Sequence, residues 1–213
     1  MPRPSLAAAI RAVADIDPVM ARLVGVVGPI THRRGDPDGH FGSLVRAIVF
    51  QQLAGRAANA IHGRVRALID GPLTPEAVMA VPDDALRGAG LSANKLASLR
   101  DLSAKILEGT VVLGETTRVP DEAIIAGLVT VRGIGRWTAE MYLMSELRRL
   151  DVWPIDDLGI RQGYGFAWSM SPPPTPKELQ PLGDRFRPYR SVVARYCWEA
   201  VALFRGGTDP SLR

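Results

Sequence analysis

Residues 128–144 read LVTVRGIGRWTAEMYLM, and this stretch decides the fold. A short apolar helix ends near Leu128, Gly133-Ile134-Gly135 makes a tight turn, and a second helix begins after it. Gly133 and Gly135 allow backbone dihedrals and close approach that a side chain would block, and Ile134 between them can plug the hairpin into a core. At the start of the second helix, free backbone N–H groups and the positive end of the helix dipole make an anion site suited to a phosphate. Arg132 and Arg136 flank that site with full charges, and Thr138 lies in the first turn. Arg132, Gly133, Gly135, Arg136 and Thr138 are therefore the candidate contacts to a nucleic-acid backbone. A Gly-x-Gly alone also suits a plain corner between two helices; the hydrophobic frame and the paired arginines favour binding.

The rest of the chain agrees with helices. Leu44, Val45, Ile48, Val49 and Leu53 recur at helical spacing, as do Leu96, Leu99, Leu102 and Ile106, and strand-like alternation is confined to TVVL at 110–113. Thr74-Pro75-Glu76 places a capping hydroxyl before a proline at the first helical position, and Thr175-Pro176-Lys177-Glu178 forms a capping box. Loops are expected at 32–39, 114–121 and 169–176, none long enough to separate independently folding domains. The fold class is all-α, and 213 residues suffice for one sizeable core or two small lobes.

Charge and cysteine content narrow the chemistry. A net charge of +4 and an isoelectric point of about 9.6 suit a polyanionic partner. The single cysteine, Cys197, excludes an intramolecular disulfide and an iron-sulfur cluster held by four thiolates of this chain, and it fits a reducing compartment. His32, His40 and His62 lack the cysteine or carboxylate pattern of a zinc site. No stretch approaches the roughly 18 unbroken apolar residues of a membrane helix, and the N-terminus lacks a secretory apolar core. A soluble, cytoplasmic protein without membrane association is expected.

Downstream of the hairpin, DVWPIDDLGIRQGYG at 151–165 places Asp156 and Asp157 after a proline and before a short helix. Either could simply cap that helix.

The pattern Leu128-x-x-Val131-x-Gly133-Ile134-Gly135-x-x-x-Ala139 resembles the helix-hairpin-helix motif, whose contacts to the DNA backbone position without reading sequence. A hairpin, an intervening helix and a proline-containing turn ending in Asp is similar to the HhH-GPD superfamily of DNA glycosylases. Within it the chain looks like the AlkA-like 3-methyladenine DNA glycosylases. Arg136-Trp137-Thr138-Ala139 matches the family's Arg-Trp-Thr-Ala, and Leu158-Gly159-Ile160-Arg161 matches its Leu-Gly-Leu-Arg. The likeness extends to RAIVFQQLAGRAA at 46–58 and RPYRSVVARYCW at 187–198, and covers roughly residues 40–205. It implies one unit over 1–213 with two lobes. One lobe would span about 41–153 and contain the hairpin at 128–139; the other would combine about 1–40 with 154–213. The active-site cleft would lie between them, with DNA across it.

The resemblance implies base-excision repair: hydrolysis of the N-glycosidic bond of an alkylated purine, 3-methyladenine in type, flipped out of damaged double-stranded DNA by a monomeric enzyme. It assigns the catalytic carboxylate to Asp157; a turn one residue shorter, as in some relatives, would select Asp156. A carboxylate about 4 Å from a positively charged sugar contributes on the order of 4 kcal/mol at an effective dielectric near 20. Gln52 and Leu53 would supply the wedge that fills the gap in the stack, although Leu53 could equally be core. Trp137 and Trp198 would line the base pocket with Met141, where aromatic faces attract a cationic base. Met141 and Leu158 stand where one branch of the family has tyrosines, making this pocket less aromatic. Relatives that also cleave the strand carry a lysine at the position of Trp137, so no lyase activity is expected. No cofactor is required, and a sodium or potassium ion could sit on the carbonyls of Val129, Val131 and Ile134. Ser92, Asn94 and Lys95, at a further helix start, could hold another phosphate. The rival readings are a non-catalytic helix-hairpin-helix binding module and a glycosylase for oxidised or deaminated bases.

Overall fold

The computed structural model describes residues 4–32, 34–114 and 118–206. Residues 33 and 115–117, in two of the expected loops, and the two ends of the expected 1–213 unit lie outside the described residues. Among the described residues are twelve α-helices in chain order: α1 (Leu6–Ile16), α2 (Pro18–Val27), α3 (Gly39–Phe50), α4 (Gly55–Ala67), α5 (Pro75–Ala80), α6 (Asp83–Gly88), α7 (Ala93–Leu107), α8 (Asp121–Leu128), α9 (Arg136–Ser145), α10 (Leu158–Ala167), α11 (Pro176–Leu182) and α12 (Arg190–Gly206). They contain no strand. The TVVL segment at 110–113 instead folds back over the end of α7: Gly109 turns left-handed at φ 75°, the Val111 N–H donates to the Lys105 carbonyl at 3.0 Å, and Val111 is buried. No helix among the described residues is long and apolar enough to cross a membrane.

The helices begin where the local chemistry predicts. Thr74 caps α5 through the Ala77 N–H ahead of Pro75, and Thr175 and Glu178 exchange the reciprocal bonds of a capping box on α11. Ser92 caps α7, and Asp17 caps α2 through the N–H groups of Val19 and Met20.

The chain divides into two compact units, residues 34–147 and residues 1–33 with 148–213. The divisions fall at 33/34 and 147/148 rather than near 40 and 153, and side-chain bonds explain both shifts. Asp38 pairs with Arg66 at 3.1 Å, tying the segment before α3 to α4. Asp151 pairs with Arg190 at 2.7 Å, the Val152 N–H donates to Ser191 Oγ at 2.8 Å, and Trp153 Nε1 donates to the Leu179 carbonyl at 3.0 Å. Residues 148–153 therefore belong with α11 and α12.

In the 34–147 unit, α7 packs against α3, α5 and α6 over a core that includes Ile48, Val49, Leu99, Leu102, Leu128 and Leu143. In the other unit, α10 packs along α12 with Ile160, Tyr164, Val193 and Tyr196 buried. A Cβ at Gly163 would overlap the Cys197 backbone, so this glycine sets how closely α10 and α12 approach.

Candidate active site

Asp157 is the N-cap of α10, and its Oδ1 accepts the Ile160 N–H at 2.8 Å and the Trp198 Nε1–H at 3.0 Å. It is 8% exposed, whereas Asp156 is exposed. One of the two carboxylates is thus held in a fixed orientation inside the protein, and that one is Asp157. Burial, and secondarily the charge of Asp157, push the nearby Cys197 thiol up, leaving it neutral at physiological pH. Trp198, expected in the base pocket, turns its indole N–H to Asp157.

The hairpin between α8 and α9 closes as its sequence suggests, with Val131 and Ile134 buried and the Ile134 N–H donating to the Val131 carbonyl at 3.0 Å. Its two glycines differ. Gly133 is left-handed at φ 77°, and a Cβ there would lie 2.7 Å from Ser98 Oγ. Gly135 has φ −90° and open space where a Cβ would sit, so it is not required by strain; it leaves the start of α9 without a side-chain cap.

The charges around the hairpin are more balanced than the two arginines imply. Arg136 pairs with Glu122 at 2.5 Å and with the buried Glu140 at 3.0 Å; hydrogen bonds from Arg136 hold the Glu122 carboxyl below the usual range. The Arg132 N–H donates to Asp101 Oδ2 at 2.6 Å, and its guanidinium donates to Asn94 Oδ1 at 3.1 Å. Burial alone would raise the Asp101 carboxyl, but the Arg132 N–H and Lys105 together hold it low. Lys105 also donates to the Thr130 carbonyl. Thr138, expected at the DNA backbone, is buried and lines the cavity described next. Asn94 and Lys95 are likewise engaged within the protein, Asn94 Oδ1 accepting from Arg132 at 3.1 Å and Lys95 donating to the Val49 carbonyl at 2.6 Å.

A cavity of about 480 Å³ opens in the 34–147 unit, lined by Ala47, Phe50, Gln52, Trp137, Met141 and Tyr142 among others. Its size lies within the ~300–1,000 Å³ of ordinary small-molecule sites. Trp137 is 49% exposed, which a core tryptophan would not be. The walls are mostly apolar, and the hydroxyls of Ser43 and Ser145 donate to the His40 and Met141 carbonyls of their own helix. At the cavity's edge, α3 and α4 are joined by a turn in which Gln52 has φ 56°, a conformation costing roughly 1–3 kcal/mol in a non-glycine residue. The turn leaves Leu53 39% exposed, so Leu53 is not core.

Sequence reasoning missed Gln51, Asp101, Glu122 and Phe50. Gln51, Asp101 and Glu122 act through Gly133, Arg132 and Arg136, partners distant in the chain that no local pattern marks, and Phe50 is a wall of the cavity. Among the described residues no group of three or more His, Cys, Asp or Glu side chains is placed to hold a metal ion.

Residues 45–188 match the HhH-GPD superfamily of base excision DNA repair proteins. The chain is 33% identical over 194 residues to DNA-3-methyladenine glycosylase 1 of Schizosaccharomyces pombe, covering 89% of this chain and 85% of that protein. The solved complex of the S. pombe 3-methyladenine DNA glycosylase with abasic DNA superposes with a TM-score of 0.77 over 90% of this chain and 95% of that one, at 33% identity. A DNA-3-methyladenine glycosidase of Bacillus halodurans gives a TM-score of 0.86 at 33% identity, covering 93% and 91% of the two chains.

Proposed function

This chain belongs to the HhH-GPD superfamily of base excision DNA repair proteins, and on that premise we propose that it is a monofunctional DNA glycosylase hydrolysing the N-glycosidic bond of alkylated purines, 3-methyladenine in type, in duplex DNA. The observation that carries this reading is Asp157, a carboxylate with 8% exposure whose orientation is set by two N–H donors on one oxygen. A prefixed negative charge stabilises the positive charge that develops on the sugar as the base departs, without reorganising at that moment. The same carboxylate orients the attacking water. A cationic alkylated base leaves as a neutral molecule, so no dedicated general acid is needed.

The cavity beside Trp137 and Met141 receives the flipped base, its aromatic and thioether walls suiting a cationic purine. Leu53 fills the gap left in the stack. The open N-terminus of α9 and Arg132 hold phosphates. The carbonyls of Val129, Val131 and Ile134 suit a sodium or potassium ion, since the Val131 carbonyl, although it accepts the Ile134 N–H, keeps a second lone pair; such an ion would add positive charge at the hairpin. The enzyme acts as a monomer, inside the cell, and needs no further cofactor.

The cap on α10 also favours a second reading, a DNA-binding module in which Asp157 has only a structural role. Asp157→Asn separates the two. Under the catalytic reading, release of 3-methyladenine from alkylated DNA falls about a thousandfold while duplex binding persists, and Asp156→Asn releases at the wild-type rate. Full release by Asp157→Asn, or none by the wild type, overturns it. Borohydride should trap no covalent enzyme–DNA species, because Trp137 stands where a Schiff-base lysine would be needed.

A further inference from the structure

The geometry points to Gln51 as a positioning residue that locks the wedge turn at Gln52 and Leu53 to the phosphate-binding hairpin. Gln51 follows the last residue of α3, and its Nε2 donates to the Gly133 carbonyl at 2.8 Å. A carbonyl only accepts, so the side-chain amide must face it nitrogen first. The bond joins residues 82 apart in sequence, linking the turn between α3 and α4 directly to the left-handed glycine of the hairpin.

Two residues of α7 brace the same junction from below. Lys95 donates to the Val49 carbonyl at 2.6 Å, satisfying one of the acceptors that the C-terminal end of α3 leaves without an intrahelical partner. Ser98 Oγ lies where a Cβ at Gly133 would come within 2.7 Å, and Gln51 Oε1 lies 4.0 Å from that point. Gly133, Ser98 and Gln51 therefore meet at one point, and the strained Gln52 follows directly. The function of this lock is register. With phosphates held at the hairpin, Leu53 stands at a set offset along the strand, and its entry into the stack loses nothing to reorientation of the turn. The inference rests on the reading that Leu53 enters the stack and the hairpin holds phosphate.

Gln51→Leu removes the donor at similar size, and Gln51→Glu keeps the shape while an ionised carboxylate has no hydrogen to donate. Binding is followed with a duplex carrying a stable abasic site beside 2-aminopurine, whose fluorescence rises when it unstacks. Both variants should melt like the wild type and bind intact duplex with wild-type affinity, yet need on the order of tenfold more protein for the same fluorescence response. A response at wild-type protein concentrations overturns the inference. A parallel fall in melting temperature and intact-duplex affinity also overturns it, since Gln51 would then only hold the fold. The readout involves no base release, so a wild type that unstacks the probe but releases no alkylated base refutes the glycosylase reading alone. A wild type that gives no fluorescence response refutes the wedge and this inference together.

Discussion

The indole Nε1 of Trp198 donates to Oδ1 of Asp157 at 3.0 Å, joining α12 to the cap of α10. The same oxygen accepts the Ile160 N–H, so the carboxylate is held from two directions and cannot rotate without breaking both bonds. Gly159 makes this possible: a Cβ there would lie 3.0 Å from Trp198 Cδ1 and 3.1 Å from Asp157 Oδ1.

Trp198→Phe keeps most of the ring but removes the donor. A hydrogen bond to a charged group contributes about 1.5–3 kcal/mol, so single-turnover base release should slow by about tenfold to a hundredfold with duplex affinity retained. Combining it with Asp157→Asn should add little, because the indole acts through the carboxylate. An additive double variant would show that Trp198 contributes independently.

Two glycine-to-alanine changes should move stability in opposite directions. At Gly163 a methyl meets the Cys197 backbone, which cannot yield as a flexible side chain would, and a loss of at least ~1–3 kcal/mol is expected. Gly63, inside α4, has nothing within 4 Å of a Cβ, and alanine there should stabilise by about 0.5–1 kcal/mol. Denaturant melts of both variants read the signs directly.

Glu122→Gln removes the exposed carboxylate that pairs with Arg136. Affinity for intact duplex should rise severalfold at low salt, and the slope of log affinity against log salt should steepen by about 0.9 if the released guanidinium takes up one phosphate. An unchanged slope would mean that Arg136 stays with Glu140 and does not reach DNA.

Asp101 couples the hairpin to pH. Its folded carboxyl lies below its ordinary value, so its stabilisation is fully present above the unfolded pKa of about 3.9 and is lost as pH falls through the lower folded value. The Arg132 amide, which donates to Asp101, should keep its hydrogen-exchange protection factor from pH 7 to about 4 and lose it only below that. Asp101→Asn should lower it already at neutral pH. Protection that disappears between pH 7 and 5 would assign the bond's control to another group.

Helix positions, caps and the hairpin turn were legible because each is decided within a few residues: a hydroxyl beside its own first turn, a glycine between two apolar helices. The acceptor role of Asp157 at the head of α10 was legible for the same reason, whereas the burial of Asp157 and the exposure of Asp156 were not, since adjacent aspartates are alike in type.

The amino-acid sequence by itself determined an all-α chain with a phosphate-suited hairpin and a carboxylate downstream of it. Only the tertiary structure decided that Trp198 holds Asp157, that Arg136 answers to Glu122 and Glu140, and that Gln51 reaches Gly133. A side chain's identity sets which bonds it can make, but the partner it bonds with depends on which distant segments packing brings within about 3 Å.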